Sequence, residues 1–122
     1  MSFNTRHCVA VTTIADGSAT VYTPVVNGRV LAIEYVKTDF VNGVDFVVVT
    51  EDSGQGILAV TDVNASAAFY PRTQVHSTVG VGLTYDGTRV VAEPVIVAQE
   101  RIKILVSSGG DTKSGTFYVT IG

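Results

Sequence analysis

The chain has 122 residues and a formal net charge of −3, and 46% of its residues are hydrophobic. This length supports the core of one domain, and the composition excludes a disordered or solvated tail. The eight Lys and Arg residues are scattered, which argues against nucleic acid or an acidic membrane surface as a partner. No apolar run reaches the roughly 20 residues of a membrane helix.

Residue usage predicts an all-β protein. The chain contains 23 Val, 15 Thr, 7 Ile, 5 Tyr and 5 Phe, side chains that fit a pleated, half-buried surface. We expect one antiparallel β-sandwich over residues 1–122, with about eight strands and an N-terminal arm over residues 1–6. The pattern leaves jelly-roll and immunoglobulin-like sandwiches open. Unequal hairpins and two prolines placed where a strand could switch sheets favour a jelly-roll-like topology.

The first half of the chain predicts strands separated by turns rich in Gly, Asn and Asp. Asp16-Gly17 is suited to a tight turn with positive φ. Pro24 removes a ladder hydrogen bond, which predicts an edge strand or a bulge. Asn27-Gly28 is the strongest hairpin signal in the chain. The predicted strands are residues 7–15, 18–26, 29–37, 44–51 and 57–63, with the last two forming a hairpin.

The second half is less regular at first and then clearly alternating. Residues 64–78 predict a long connection, with a short strand around residues 74–77 as an open alternative. Asp86-Gly87 predicts a hairpin between residues 80–85 and 88–91. Pro94 should interrupt the next strand. Residues 101–106 and 116–121 alternate with a period of two. We expect them to pair across a mobile tip at residues 107–115.

The sequence offers little chemistry for catalysis. A nucleophilic enzyme needs a nucleophile, a base and an orienting group, and the only imidazoles are His7 and His76. Cys8 beside Val9 and Val11 predicts a small buried side chain. Because His7 and Cys8 should point to opposite strand faces, a zinc site is not expected. We therefore predict no enzyme activity, no cofactor and no metal.

The apolar excess points to contacts with other proteins. The mean hydropathy of +0.35 is higher than a lone small domain needs, and a small β-domain also carries exposed strand edges. Phe40, Phe69 and Tyr70 lie in loop-like segments and are candidates for such contacts. The alternative is that these side chains cap the ends of the core.

Several short segments of the chain are distinctive. They are Gly43-Val44-Asp45-Phe46, Gly56-Ile57-Leu58, Phe69-Tyr70-Pro71-Arg72 and Glu100-Arg101-Ile102-Lys103-Ile104, and the most distinctive is the segment at residues 109–117. Together they resemble small virion proteins of tailed bacteriophages, and the likeness spans about residues 28–121. The resemblance implies a jelly-roll or related sandwich. Arg72, which lies in one of these segments beside Phe69 and Tyr70, is a further candidate contact residue.

The resemblance also implies a function. Proteins of this group act as cement or decoration proteins on the capsid, where dimers or trimers bind the major capsid protein. The expected location is the capsid surface of the virion, after synthesis in the cytoplasm of the bacterial host. The alternatives are a head–tail connector or tail-fibre component, and a carbohydrate-binding β-sandwich module.

Overall fold

The computed structural model describes residues 4–122 and confirms the all-β fold class. The ten strands form two antiparallel sheets that enclose one core, as in a β-sandwich, and the described residues contain no helix. The strands are β1 (Thr5–Thr12), β2 (Ala19–Tyr22), β3 (Val26–Lys37), β4 (Val44–Thr50), β5 (Gly56–Val63), β6 (Ala67–Phe69), β7 (Arg72–Gln74), β8 (Ala92–Glu100), β9 (Ile102–Ser107) and β10 (Ser114–Ile121).

The larger sheet has the order β1-β10-β3-β8-β7, and the smaller sheet has the order β2-β9-β4-β5. Strand β3 is long enough to pair with β8 through residues 26–30 and with β6 through residues 33–35. The predicted hairpin between β4 and β5 is confirmed, as is the edge position of β2. Pro24 lies where the chain leaves the smaller sheet for the larger one. The narrower jelly-roll assignment stays a prediction.

Alternating residues of both sheets fill the core. Ile102, Ile104 and Val106 of β9 are buried, and so are Phe117 and Val119 of β10, as their period of two predicts. The centre is aromatic: the Tyr35 ring lies 5.2 Å from the Phe46 ring and 5.3 Å from the Phe117 ring, between centroids. Among the described residues, the buried Tyr35 hydroxyl has no hydrogen-bond partner.

The predicted hairpin at Asn27-Gly28 is wrong, because β3 runs straight through these two residues. The register of β3 against β8 shifts between Val26 and Asn27, and the Asn27 side chain accepts a hydrogen bond from the Gln99 amide at 2.8 Å. Gly28 has φ +131°, a backbone conformation that glycine tolerates. The same two residues therefore form a bulge inside one strand instead of a turn between two.

The predicted pairing of residues 101–106 with residues 116–121 is also wrong. Strand β9 pairs with β2 and β4 in the smaller sheet, whereas β10 pairs with β1 and β3 in the larger one. The intervening segment crosses from one sheet to the other. Alternation identified the buried face of each strand correctly, but it carries no information about which strand lies alongside.

The crossing segment is packed into a loop cluster, which we define as residues 13–18, 38–41 and 108–113, and is not a free tip. The Gly109 amide donates to the Gly17 carbonyl at 3.0 Å, and the Gly109 carbonyl accepts from the Val41 amide at 3.1 Å. The buried Thr13 hydroxyl donates to the Gly110 carbonyl at 2.5 Å. These bonds join three loops, so the predicted mobility of residues 107–115 is not what the packing favours.

Strand β1 corrects two further predictions. Thr5 and Arg6 pair with Ile121 and Thr120 of β10, so the predicted arm over residues 1–6 is wrong at these two positions, and residues 1–3 lie outside the described part of the chain. Cys8 is exposed because Val9 and Val11 point into the core, and neighbours on a strand face opposite ways.

The region around the last two prolines is more regular than predicted. The connection at residues 64–78 contains the short strands β6 and β7, which reverse direction at Tyr70-Pro71. Pro94 does not interrupt its strand, because β8 continues through it from Ala92 to Glu100. Pro94 lies beside β7, opposite Arg72.

Candidate interaction surface

Residues 75–91 leave the edge of the larger sheet as a double-hairpin arm, which we call the arm. It starts after Gln74 of β7 and ends before Ala92 of β8, and these two residues are paired with each other. Isolated bridges join His76 to Gly82 and Thr84 to Val90. The arm therefore has two lobes, residues 75–83 and residues 83–91. The predicted hairpin around Asp86-Gly87 corresponds to the second lobe.

Three backbone hydrogen bonds close the base of the arm into a ring. The Val75 amide donates to the Val91 carbonyl at 2.9 Å, and the Val91 amide donates to the Leu83 carbonyl at 3.0 Å. The Leu83 amide completes the ring by donating to the Val75 carbonyl at 2.9 Å. Each lobe thus begins and ends at the same ring, which fixes both lobes to β7 and β8.

Side chains hold the turn of each lobe. The Ser77 hydroxyl lies 3.4 Å from the amides of Val79 and Val81 in the first lobe. In the second lobe, the Asp86 carboxylate accepts hydrogen bonds from the amides of Arg89 at 2.8 Å and Thr88 at 3.0 Å. These backbone donors hold the pKa of Asp86 below its ordinary value. Both turns are therefore stabilised by local acceptors of the kind that turns commonly use.

Gln74 braces the arm from the sheet. Its side-chain amide donates to the Leu83 carbonyl at 3.1 Å and covers Gly82, where an added Cβ would lie 2.7 Å from the Gln74 Oε1 atom. Glycine at position 82 thus lets the amide lie flat against the base of the arm. The brace and the ring together make the arm a preorganised element.

The arm exposes apolar side chains. Val81, Leu83 and Tyr85 are exposed at every second position. We call these three side chains the arm face, and Val79 stands at the tip of the first lobe. The exposed fraction is 82% for Val79 and 75% for Tyr85. Exposed apolar side chains of this size grouped on one element are typical of a contact surface.

Charge does not interrupt the arm face. The only charged residues of the arm are Asp86 and Arg89, whose side chains form an ion pair at 3.1 Å. Both groups are exposed, so the pair adds little stability. The two opposite charges cancel, so the arm carries no net charge.

The four residues predicted as contacts have different environments. Phe40 is buried and stacks on Tyr35 at 6.1 Å between ring centroids, so its interpretation as a contact residue is wrong, and it caps the core instead. Phe69 is partly buried against the core, with its ring 6.0 Å from that of Phe46. Tyr70 is exposed and remains a candidate contact.

Arg72 is exposed but has a structural task. Its guanidinium donates to the Leu31 carbonyl at 3.2 Å and to the Pro71 carbonyl at 2.8 Å. Continuing the register from Val30 opposite Val95 places Leu31 level with Pro94, which has no N–H to donate. Arg72 supplies a donor where the proline cannot, so it stabilises the region from which the arm leaves the sheet.

Glu100 and Arg101 make a group of polar contacts at the end of β8 that lies away from the arm. The Glu100 carboxylate accepts hydrogen bonds from the amides of Asp52 at 2.9 Å and Ser53 at 3.1 Å, and donors on Ser53 contribute most to lowering its pKa. Arg101 pairs with Glu51 and lies over the Tyr22 ring, 4.1 Å from its centroid. These contacts tie the β4–β5 turn to the crossing between β8 and β9.

Residues 4–122 enclose no pocket and contain no group of three or more His, Cys, Asp or Glu side chains placed to hold a metal ion. Over the same residues, no helix has the length and apolarity needed to cross a bilayer.

The sequence of the arm differs from that of the other connections. Residues 75–91 include only two charges but five valines, and the strands predicted there were expected to belong to the sandwich. The spacing of Val75, Leu83 and Val91 by eight residues is visible in the sequence. Its meaning becomes clear only when the three backbones are seen to close one ring.

Comparison of the chain with models of known protein families, and with curated proteins, finds no match.

Proposed function

We propose that this chain is a structural virion protein of a tailed bacteriophage, acting as a capsid cement protein that binds the major capsid protein lattice. The proposal joins the resemblance of the short segments described above with the surface of the folded chain. A head–tail connector is the alternative within the same particle. The two differ in copy number and in position on the particle.

The observation that carries the proposal is the arm. Its backbone is ordered by its own ring and by Gln74, yet it leaves Val79 and Tyr85 almost fully exposed. Apolar side chains held out in water by a rigid support are favourable only when another surface covers them. This supports a protein that works inside an assembly.

The mechanism of a cement protein follows from mass action. A protein that binds the assembled lattice, and not its separated subunits, shifts the balance against rupture in proportion to its binding free energy. The sandwich supports this role because residues of both sheets pack into one hydrophobic core. The two sheets end in β1, β7, β2 and β5, and these edge strands provide further contact surfaces.

A particle experiment tests the proposal. We expect hundreds of copies per virion on the head surface in a symmetric reconstruction, and heads that lack the chain should burst at a lower temperature. Adding purified chain back should restore the bursting temperature of the complete head. Six to twelve copies at one vertex would favour the connector instead. Heads that are equally robust without the chain would contradict the cement function.

A further inference from the structure

We propose that the arm face is covered by the arm of a second copy of this chain, so that the arms join copies into a homo-oligomer. The inference goes beyond the cement function, since copies could associate through their arms in any assembly. It assigns an interface to Val81, Leu83, Tyr85 and Val79.

The first argument is rigidity. Val75, Leu83 and Val91 close a ring of three backbone hydrogen bonds of 2.9–3.0 Å, and the Gln74 amide is bonded to the Leu83 carbonyl. Side chains mounted on such a support lose little backbone entropy on binding, and preorganisation of this kind increases affinity. A loop that folds only on its target would not need the ring.

The second argument is area. The exposed surface of Val79, Val81, Leu83 and Tyr85 is on the order of 450 Å², against roughly 800 Å² that each partner contributes to a standard stable interface. The arm therefore supplies most of one side of such an interface. Two identical arms facing each other would supply both sides, as in a contact around a two-fold axis.

The third argument is charge. The chain has a net charge of −3, so two copies carry the same net charge and repel each other weakly as they approach. The arm is neutral because its only two charges, Asp86 and Arg89, pair with each other. Copies can approach arm to arm without charge repulsion at the contact, whereas a strongly acidic or basic partner would find no complementary charge there.

The main experiment introduces a charge on the arm face and measures the mass of the purified chain by sedimentation equilibrium. Val81→Asp is the test, and Val25→Asp is the matched control, because Val81 is 60% exposed and Val25 is 61% exposed. We expect the wild type and Val25→Asp to sediment as a dimer or larger multiple of 12.8 kDa. Val81→Asp should sediment as a monomer with the circular dichroism spectrum of the wild type.

Three outcomes would overturn the inference. The first is a wild-type chain that stays monomeric at about 100 μM, well above the Kd expected for a specific interface. The second is a Val81→Asp chain that still associates. The third is loss of association in Val25→Asp as well. Because the chain is measured alone, a monomer contradicts the arm interface and leaves the cement function to the particle experiment. If that monomer binds heads and Val81→Asp does not, the arm belongs to the capsid contact.

Cross-linking provides a second measurement that does not depend on a disruptive charge. In a Cys8→Ser background, which removes the exposed natural thiol, Val81→Cys should form a disulfide between two chains under oxidised glutathione. Ile96→Cys, exposed on β8 outside the arm, should form far less. Equal cross-linking at both positions, or none at Val81→Cys, would contradict an arm-to-arm contact.

Discussion

The loop cluster and the arm contain similar kinds of turn residue but pack in different ways. Both are rich in Gly and turn residues, and both connect strands of the sandwich. In the loop cluster, Gly109 is buried and its amide and carbonyl bond to neighbouring loops, whereas the arm closes a ring with its own backbone and leaves its side chains in water. Glycine content therefore does not set order or exposure. The neighbours available to each segment do.

The largest expected effect tests the packing beneath the loop cluster. An added Cβ at Gly115 of β10 would lie 2.5 Å from Phe40 Cε2 and 2.8 Å from Phe40 Cδ2. We expect Gly115→Ala to lower the free energy of unfolding by about 3 kcal/mol, since a filled core tolerates no extra carbon. Urea unfolding measures this. Gly56→Ala is the control, because no atom lies within 4 Å of its Cβ position, and similar losses at both sites would refute the packing argument.

The next effect tests the hydrogen bonds of the loop cluster. Thr13→Val keeps the shape of the side chain but removes the hydroxyl that donates to the Gly110 carbonyl and accepts from the Lys113 amide at 2.9 Å. Leaving these groups without a partner should cost about 2 kcal/mol, measured by thermal unfolding. Thr12→Val, at the exposed last position of β1, should change stability by less than about 0.5 kcal/mol. Equal effects would mean that the bonds do not hold the loops together.

A smaller and local effect is expected in the arm. The pKa of Asp86 is lower in the folded chain than in the unfolded one, so its stabilisation is complete above the unfolded pKa and is lost as the pH falls through the folded pKa. In acid, the amides of Thr88 and Arg89 should lose their protection from hydrogen exchange. Asp86→Asn should weaken the same protection at neutral pH. The amides of Val79 and Val81 are the control, and their loosening in parallel would show that the lobes do not act separately.

The smallest effect on stability is expected for an exposed side chain of the arm. Val79→Ser should change the free energy of unfolding by less than about 0.5 kcal/mol under conditions where the chain is monomeric, because Val79 has almost no contacts to lose. Val48→Ala in the core should cost about 2 kcal/mol by comparison. Chemical denaturation of dilute samples measures both. A large loss of stability in Val79→Ser would show that the tip of the first lobe packs against the sandwich.

Local alternation predicted the strands well but not their partners. The buried faces of β9 and β10 and the β4–β5 hairpin follow from a period of two and a glycine-rich turn. Asn27-Gly28 was misleading because a bulge and a hairpin turn both favour residues with access to positive φ. Exposure of Cys8 was within reach, since Val9 and Val11 determine which way their neighbour points.

The candidate surface was harder to predict for a similar reason. Phe40 and Tyr70 look alike in the sequence, as aromatic residues in loops, yet one stacks on Tyr35 and the other is exposed. Which of them is covered depends on residues far away in the chain, such as Gly115. Val79 and Val81 were predicted next to or within ordinary strands. Only the closed ring at residues 75, 83 and 91 shows that this segment leaves the sandwich.

The buried phenol at the centre of the sandwich gives the molecule its own optical probe. The chain has no tryptophan and five tyrosines, of which Tyr35 is fully buried among aromatic rings while Tyr85 stands on the arm. Near-ultraviolet circular dichroism should therefore follow the immobilised Tyr35, and quenching of tyrosine fluorescence by iodide should follow accessible rings such as Tyr85. Burial raises the pKa of Tyr35, so its phenolate should form only beyond the ordinary alkaline range. Unfolding of the core and burial of the arm at an interface can thus be measured separately in unlabelled protein.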